Sequence, residues 1–169
     1  VQEVVQEWTP WASQIIRLYK GDPAVEVAWK VGPIPIEDGF GKEVVMRWST
    51  DIASGGSFYT DSNGRDMQKR TFNHRDTWQL NVTDPVAGNY YPVNGLATLR
   101  DETSASPSTP SSSSSTSTPR ELALHVDRSC GAASLHNGDL EVMVHRRILH
   151  DDARGVGEPL NETMCGCIH

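Results

Sequence analysis

The residues best suited to chemistry lie between positions 146 and 155, where Arg146-Arg147, Asp151-Asp152 and Arg154-Gly155 follow one another. A cluster of fixed charges in a glycine-rich loop is a common way to hold a polar ligand, because glycine allows unusual backbone paths. The alternative is structural: the arginines and aspartates neutralise one another at a sheet edge, where exposed pairs contribute about 0–1 kcal/mol. Spacing alone favours this structural interpretation.

Other chemistry is weakly represented in the chain. Adjacent carboxylates on one backbone diverge, so Asp151 and Asp152 do not form the facing pair of a glycosidase. The ending Cys165-Gly166-Cys167-Ile168-His169 is spaced more tightly than zinc ligands usually are and has no second ligand pair. His145 and His150 indicate polar support rather than a metal site. The residues alone therefore predict no catalytic set and no metal ligands.

Composition restricts the class of protein. The 169 residues have room for about one domain, and the net charge of −7 argues against a nucleic-acid partner, which needs a basic face. No run of about 18 apolar residues is present, so we expect no membrane span. The chain starts without Met and without a signal peptide, and both ends look like cuts. We therefore interpret the sequence as a fragment.

Three features favour an exported protein. The odd count of three cysteines suggests a pairing partner elsewhere or a free thiol. Two N-glycosylation sequons begin at Asn81 and Asn161. Six histidines titrate near pH 6.5, so the chain loses much of its negative charge in an acidic compartment. These features are compatible with a lysosome or vacuole.

The charged cluster follows a segment with the alternation of a half-buried strand. Leu140, Val142 and Val144 fall on one face, and Glu141, Met143 and His145 on the other. Similar patterns predict a hairpin of residues 13–20 and 25–31, and strands at 43–48, 57–60, 77–82 and 121–127. Turns are predicted at Asn63-Gly64, whose residues tolerate positive φ, and at 131–138. No long helical pattern appears, so roughly eight short strands predict an all-β sandwich.

The predicted organisation is one β domain with an insertion. Residues 1–102 and 120–169 belong to the same β domain, and 103–119 form a Ser/Thr/Pro tract with no apolar side chain larger than alanine. Such a tract cannot offset its own ordering entropy, so we expect it to be disordered. The polar-aromatic segment 89–94 either faces a ligand or fills the core at a sheet corner, and we favour the core.

Several ordered segments resemble one family, the class II α-mannosidases of glycoside hydrolase family 38, of the lysosomal or vacuolar acid type. They include Pro33-Ile34-Pro35-Ile36 and Asp151-Asp152-Ala153-Arg154-Gly155. The full set is 11–20, 31–36, 41–44, 58–65, 85–94, 141–147 and 151–155. Residues 160–165 look more like plant or algal members. The Ser/Thr/Pro tract departs from the family, which has a tight connection between strands there.

The resemblance implies a carboxy-terminal β domain, an incomplete part of a galactose-mutarotase-like supersandwich. It implies a retaining exo-α-mannosidase whose zinc ligands and aspartate nucleophile lie in an amino-terminal α/β domain outside this chain. In the family, the Asp-Asp-x-Arg-Gly loop reaches the catalytic pocket. Arg154 is therefore the expected substrate-binding residue, supported by Asp151 or Asp152, and a mannose-containing oligosaccharide is the expected ligand.

Two functional hypotheses follow. The chain is part of an α-mannosidase that trims mannose from N-glycans in a lysosome or vacuole, packs on the amino-terminal catalytic domain, and is inactive by itself. Alternatively, it is a free-standing carbohydrate-binding or scaffolding β-sandwich without catalysis. A reading frame that continues upstream into an α/β domain with zinc ligands would separate the two.

Overall fold

The computed structural model describes residues 1–102, 120–155 and 157–161, and these residues are almost entirely in β-strands and loops. The strands, numbered in chain order, are β1 (Gln2–Thr9), β2 (Ala12–Leu18), β3 (Val25–Val31), β4 (Lys42–Ser49), β5 (Ser57–Asp61), β6 (Met67–Thr71), β7 (Tyr91–Val93), β8 (Leu96–Arg100), β9 (Glu121–His125), β10 (Cys130–Ala133) and β11 (Asp139–Arg147). One short 3₁₀ turn spans Ala87–Asn89. The all-β prediction is confirmed. Over the same described ranges, no helix has the length and apolar character needed to cross a bilayer.

The described strands form three antiparallel sheets with the orders β1-β2-β3, β4-β11-β10-β7 and β6-β5-β8-β9. By internal contacts the chain divides into two compact units, one of Val1–Val44 with Val144–His169 and one of Val45–Met143. The predicted disordered tract, 103–119, lies outside the described residues. The predicted membership of 1–102 and 120–169 in one domain stays a prediction.

The unit of residues 45–143 is a β-sandwich. Alternate residues of its strands point into one core, because successive side chains of a strand leave it on opposite faces. Leu99 and Leu140 are fully buried there, and Phe58 meets Tyr91 edge-on with ring centroids 5.9 Å apart. The buried core consists of Ile52, Phe58, Tyr91, Val93, Ala97, Leu99, Ala132, Leu140 and Val142. The predicted β-sandwich is thus confirmed.

A buried aspartate joins two turns of this sandwich. The Asp61 carboxylate accepts the backbone N–H of Gly64 at 2.8 Å and those of Asn94, Gly95 and Leu96 at 2.9, 3.1 and 3.2 Å. Burial by itself raises the pKa of Asp61, but the four donors outweigh it and lower the pKa to about 2. The carboxylate therefore ties the β5–β6 hairpin to the connection between β7 and β8.

The unit of residues 1–44 contains the predicted hairpin, now extended by one strand. β2 pairs with β3 as expected, and β1 pairs with the other edge of β2. One face of this sheet is charged, because Arg17 binds Glu3 at 2.7 Å and Glu26 at 2.8 Å across the strands. β1 was not predicted, since its first residues mix exposed valines with glutamines and glutamates.

Two predicted elements are wrong. The alternating segment 77–82 is not a strand: Trp78 is 58% exposed, and among the described strands none pairs with it. Alternating apolar and polar residues give a segment one apolar face, but a strand also needs a neighbouring strand for its backbone hydrogen bonds. Residues 131–133, predicted as a turn, belong to β10. Position 131 favours glycine because an added Cβ would lie 3.0 Å from the Tyr90 ring, and not because the chain turns there.

The remaining strand predictions are confirmed. Asn63 and Gly64 have φ angles of 52° and 69° and close the β5–β6 hairpin. Leu122 and Leu124 of β9 are half-buried and pack on the core, as expected for its inward face. Segment 89–94 fills the core as favoured: Asn89 is 2%, Tyr91 8% and Val93 0% exposed.

Candidate functional site

The segment after β11 is a loop whose two ends are fixed by hydrogen bonds. Arg147, at the end of β11, donates from Nη1 to the Ile34 carbonyl at 2.8 Å and from Nε to Asn161 Oδ1 at 2.9 Å. The Ile148 N–H donates to the Leu160 carbonyl at 3.0 Å. The loop that carries the predicted site therefore starts and returns at one point of the fold.

A glycine from an earlier part of the chain lies directly against the start of this loop. A Cβ added at Gly41 would be 2.8 Å from the Ile148 Cα and 3.2 Å from the Leu149 nitrogen. Real Cβ atoms essentially never come so close to backbone, so only glycine fits here. The neighbouring Lys42 ammonium binds the Pro35 carbonyl at 2.7 Å and holds the glycine's own segment in place.

The two aspartates shape the loop through its backbone. Asp151 Oδ2 accepts the Ala153 N–H at 2.8 Å, and Asp152 Oδ1 accepts the Arg154 N–H at 3.1 Å. These are consecutive Asx turns, the conformation that aspartate favours in loops. Ala153 has a φ of 58° and Gly155 one of 133°, both in the left-handed region. The aspartates therefore set the path of the backbone at Arg154.

Exposure separates the members of the predicted site. Asp151 is half-buried, whereas Asp152, Arg154 and Gly155 are exposed. Arg154 thus presents its guanidinium from a loop with a defined backbone. Because a guanidinium carries five N–H donors in a planar fork, it can hydrogen-bond to several sugar hydroxyls or to a carboxylate.

The alternative interpretation of the charged cluster is not what the structure shows. Arg146 pairs with Glu43 at 3.4 Å. Arg147 donates to the Ile34 carbonyl and to the Asn161 amide oxygen. In the described ranges, no ion pair joins either arginine to Asp151 or Asp152. The two charge types therefore serve different purposes: the arginines bind earlier or later segments, and the aspartates turn the loop.

Sequence reasoning missed a buried carboxylate, with its hydrogen-bond partners, in the unit of residues 45–143. Glu141 is only 3% exposed, and its Oε2 accepts Nε of Arg47 at 2.7 Å while Oε1 accepts the Tyr90 hydroxyl. The hydrogen bond from Arg47 to Glu141 raises the pKa of the arginine. The alternation placed Glu141 opposite Leu140, on the face expected to meet solvent. Nothing in the sequence pairs it with Arg47, because they lie 94 positions apart.

A second acidic residue borders a shallow hollow of about 410 Å³ lined by Ala53, Gly55, Gly56, Glu102 and Asn137. Glu102 accepts the Tyr59 hydroxyl at 2.9 Å and the Lys69 ammonium at 3.1 Å. Burial raises the pKa of Glu102, but these two donors outweigh it and lower the pKa. An ionised, doubly held carboxylate is poorly suited to donate a proton.

Within the described residues, no group of three or more His, Cys, Asp or Glu side chains is arranged so that it could hold an ion. The Cys165–His169 ending lies outside the described residues. Cys130 has no disulfide partner in the described part, and burial raises the pKa of its thiol.

The two sequon asparagines lie outside strands. Asn81 is exposed, and Asn161 is half-buried with its Oδ1 accepting from Arg147. A glycan is attached through Nδ2, so the bond to Arg147 uses the other atom of the Asn161 amide.

Comparisons with known proteins agree with the fold. The model of the Glycosyl hydrolases family 38 C-terminal domain matches residues 1–154. Lysosomal alpha-mannosidase of Bos taurus is 50% identical over 166 residues, that of Homo sapiens 48% identical over 166, and an alpha-mannosidase of Canavalia ensiformis 48% identical over 166. In each comparison the match covers 98% of this chain and 15% of the relative. The chain belongs to the C-terminal domain family of the family 38 glycosyl hydrolases.

Proposed function

We propose that this chain is part of an α-mannosidase that hydrolyses terminal α-linked mannose from N-glycan oligosaccharides. The observation that carries the proposal is its identity of about one half, across 98% of its length, to proteins named alpha-mannosidase from mammals and a plant. The chain spans 15% of the length of those relatives. Most of the enzyme, including the catalytic groups, would therefore lie outside these residues.

Within that enzyme, the chain would supply the carboxy-terminal β domain that packs on an amino-terminal catalytic domain. It would also supply one loop near the sugar, with Arg154 as the substrate-binding residue and Asp151 and Asp152 as its support. The exposure of Arg154 and the two Asx turns that fix its backbone favour this assignment.

We expect the zinc ion that the family resemblance implies to be held elsewhere in the enzyme. The described residues do not offer the donor set that such an ion requires. No ligand is therefore assigned here, and no chemical step of this chain is routed through the metal.

A lysosome or vacuole is the proposed location, with glycans at Asn81 and Asn161. The names of the mammalian relatives and the exposure of Asn81 support this. Enzymatic removal of N-glycans from the secreted protein should convert both asparagines to aspartates, each detectable by mass spectrometry. Unmodified peptides at both positions would argue against the secretory route.

The proposal is tested by the hydrolysis of a chromogenic α-mannoside at about pH 5, in the acidic range of a lysosome-like compartment, with added zinc. The 169-residue chain is compared with the full reading frame that contains it. Activity in the longer protein alone is expected. A longer protein without activity would refute the α-mannosidase assignment, and an active 169-residue chain would mean that it contains a complete catalytic set.

The role of Arg154 needs its own variants in the longer protein. Loss of a hydrogen bond from a charged donor costs about 1.5–3 kcal/mol, so Arg154→Ala should lower kcat/KM by about 10- to 100-fold. Arg154→Lys should recover part of the loss, because it keeps the charge but not the fork. Arg146→Ala, which removes an exposed arginine paired with Glu43, is the matched control. Equal activity of the Arg154 and Arg146 variants would remove Arg154 from the site.

A further inference from the structure

The segment of residues 77–83 presents a large aromatic side chain to solvent. Trp78 is 58% exposed, and it lies in the alternating segment that forms no strand. Leu80 and Val82 are half-buried and face the fold, whereas Trp78 and Asn81 are exposed. Trp78 and the sequon asparagine therefore both lie on the solvent side of the segment.

Packing and hydrogen bonds hold the part of this segment that follows the sequon asparagine. A Cβ added at Gly88 would lie 3.2 Å from Val82 Cγ1, so Val82 packs closely on the next turn. In that turn the Gly88 N–H donates to the Asp84 carbonyl at 2.8 Å, and Asn89 Nδ2 donates to the Pro85 carbonyl at 2.8 Å. The sequon therefore lies on a backbone whose course is fixed by its neighbours.

The spacing of the two exposed side chains suits a contact with a sugar. Trp78 and Asn81 are three positions apart, so their Cα atoms lie within about 11 Å of each other. An N-glycan begins with an N-acetylglucosamine bound to Asn81 Nδ2. The pyranose ring of this sugar has a face of C–H groups, and the face of an indole ring is apolar and carries the negative side of its quadrupole. The first sugar therefore starts within reach of a surface on which its C–H groups pack favourably.

We propose that the glycan of Asn81 folds back on the chain, so that its first N-acetylglucosamine stacks on the indole of Trp78. The stack would take apolar surface of the tryptophan out of water and restrain segment 77–83, with which none of the described strands pairs. This inference rests on the proposed function only for the glycan at Asn81, and not for the hydrolysis of mannosides. The sugar that Trp78 binds is then one carried by the chain itself.

Oxidation of Trp78 in the full-length secreted protein tests the stack. Hydroxyl-radical footprinting, read peptide by peptide, compares the glycosylated protein with Asn81→Gln, which removes the glycan from an exposed position. We expect Trp78 to be oxidised about three- to tenfold more slowly when the glycan is present. Trp8, which is 55% exposed in the other unit, is the internal control and should be oxidised equally in both proteins. A difference at Trp78 below about twofold would overturn the proposal.

Two further measurements identify what covers the tryptophan. Slow oxidation of Trp78 both with and without the glycan would show that another part of the polypeptide covers it, and would overturn the proposal. Enzymatic removal of the glycan from the folded wild-type protein should expose Trp78 as Asn81→Gln does, which avoids any folding defect of the variant. Trimming the glycan to a single N-acetylglucosamine should keep the protection, and its loss on trimming would refute the contact with the first sugar.

The same preparations separate this inference from the proposed function. Mass spectrometry reports the glycan at Asn81, and hydrolysis of an α-mannoside reports the enzyme. A glycosylated protein with an unprotected Trp78 refutes this inference alone. Protection of Trp78 without hydrolysis supports this inference and refutes the α-mannosidase assignment. An unmodified Asn81 refutes the proposed glycosylation and this inference together.

Discussion

Removing the charge of Asp61 should loosen the join between two turns of the sandwich. Asp61 is 5% exposed, and its carboxylate accepts four backbone N–H groups, three of them from positions 94–96. In Asp61→Asn one carboxylate oxygen becomes an NH₂ group, which cannot accept from a backbone donor. The substitution therefore removes both a charge and at least one acceptor.

The size of the effect follows from the pKa of Asp61, which the donors lower from 3.8 to about 2. This difference corresponds to about 2.5 kcal/mol, or about 60-fold in an equilibrium. Because the folded-state pKa lies below the unfolded one, this stabilisation is complete above about pH 5 and is lost as the pH falls through about 2. At pH 3 about half of it remains, which is about tenfold.

Amide hydrogen exchange of residues 91–99 in the full-length protein measures this directly. Asp61→Asn should lower their protection about 60-fold at pH 7 and at pH 5, and about tenfold at pH 3. Asp66→Asn is the control. Asp66 is exposed in the same hairpin, and its carboxylate accepts one backbone N–H, that of Met67. The control should change protection by less than about threefold. Equal loss at pH 3 and pH 7, or no loss at pH 7, would refute the reasoning.

Two other substitutions test the site loop and the buried carboxylate. Gly41→Ala should displace Ile148 and lower the activity of the full-length enzyme, with little change in its folding. Gly95→Ala is the control, because the nearest atom to a Cβ there is 3.9 Å away, and it should leave the activity unchanged. Equal activities of the two variants in a kinetic assay would contradict the close approach of Gly41 to Ile148. Glu141→Gln should destabilise the protein by about 1–3 kcal/mol in thermal unfolding, because a buried amide has one acceptor oxygen where the carboxylate offers two to Arg47 and Tyr90. Glu121→Gln, in an exposed pair, should change stability by under about 1 kcal/mol. Similar shifts in the two glutamate variants would show that burial of Glu141 is not what matters.

The strands that sequence predicted best are those with one buried face. Leu122 and Leu124 in β9 alternate with exposed residues because the sandwich buries one side of that strand. Leu140 and Val142 in β11 alternate in the same way, although Glu141 between them is buried too. β10 lacks that pattern: Gly131 has no side chain, and a Cβ there would lie 3.0 Å from the Tyr90 ring. Segment 77–82 has the pattern without a partner strand. Alternation of apolar and polar residues indicates a half-buried environment and not backbone hydrogen bonding. It therefore misses strands such as β10 and predicts strands, such as 77–82, that do not form.

The candidate site was predictable only in part, for a different reason. The order Asp-Asp-x-Arg-Gly is local, and the Asx turns it forms need only residues within two positions. The anchoring of the loop is not local: Arg147 reaches Ile34, 113 positions away, and the backbone at Ile148 packs on Gly41. Such pairs depend on the topology, which single-sequence patterns do not specify. The loop could be predicted, and its attachment could not.

The buried carboxylates of the described residues serve the fold. Both buried acids of the described residues are fully engaged: Asp61 by backbone donors, and Glu141 by Arg47 and Tyr90. A general acid or nucleophile needs an oxygen that faces substrate, and these carboxylates face the fold instead. The loop at 151–155 differs from these acids, because Asp152 and Arg154 are exposed on a backbone that two Asx turns hold. In the function we propose, Arg154 would contact the sugar from this loop, while the reacting carboxylates would come from outside these residues.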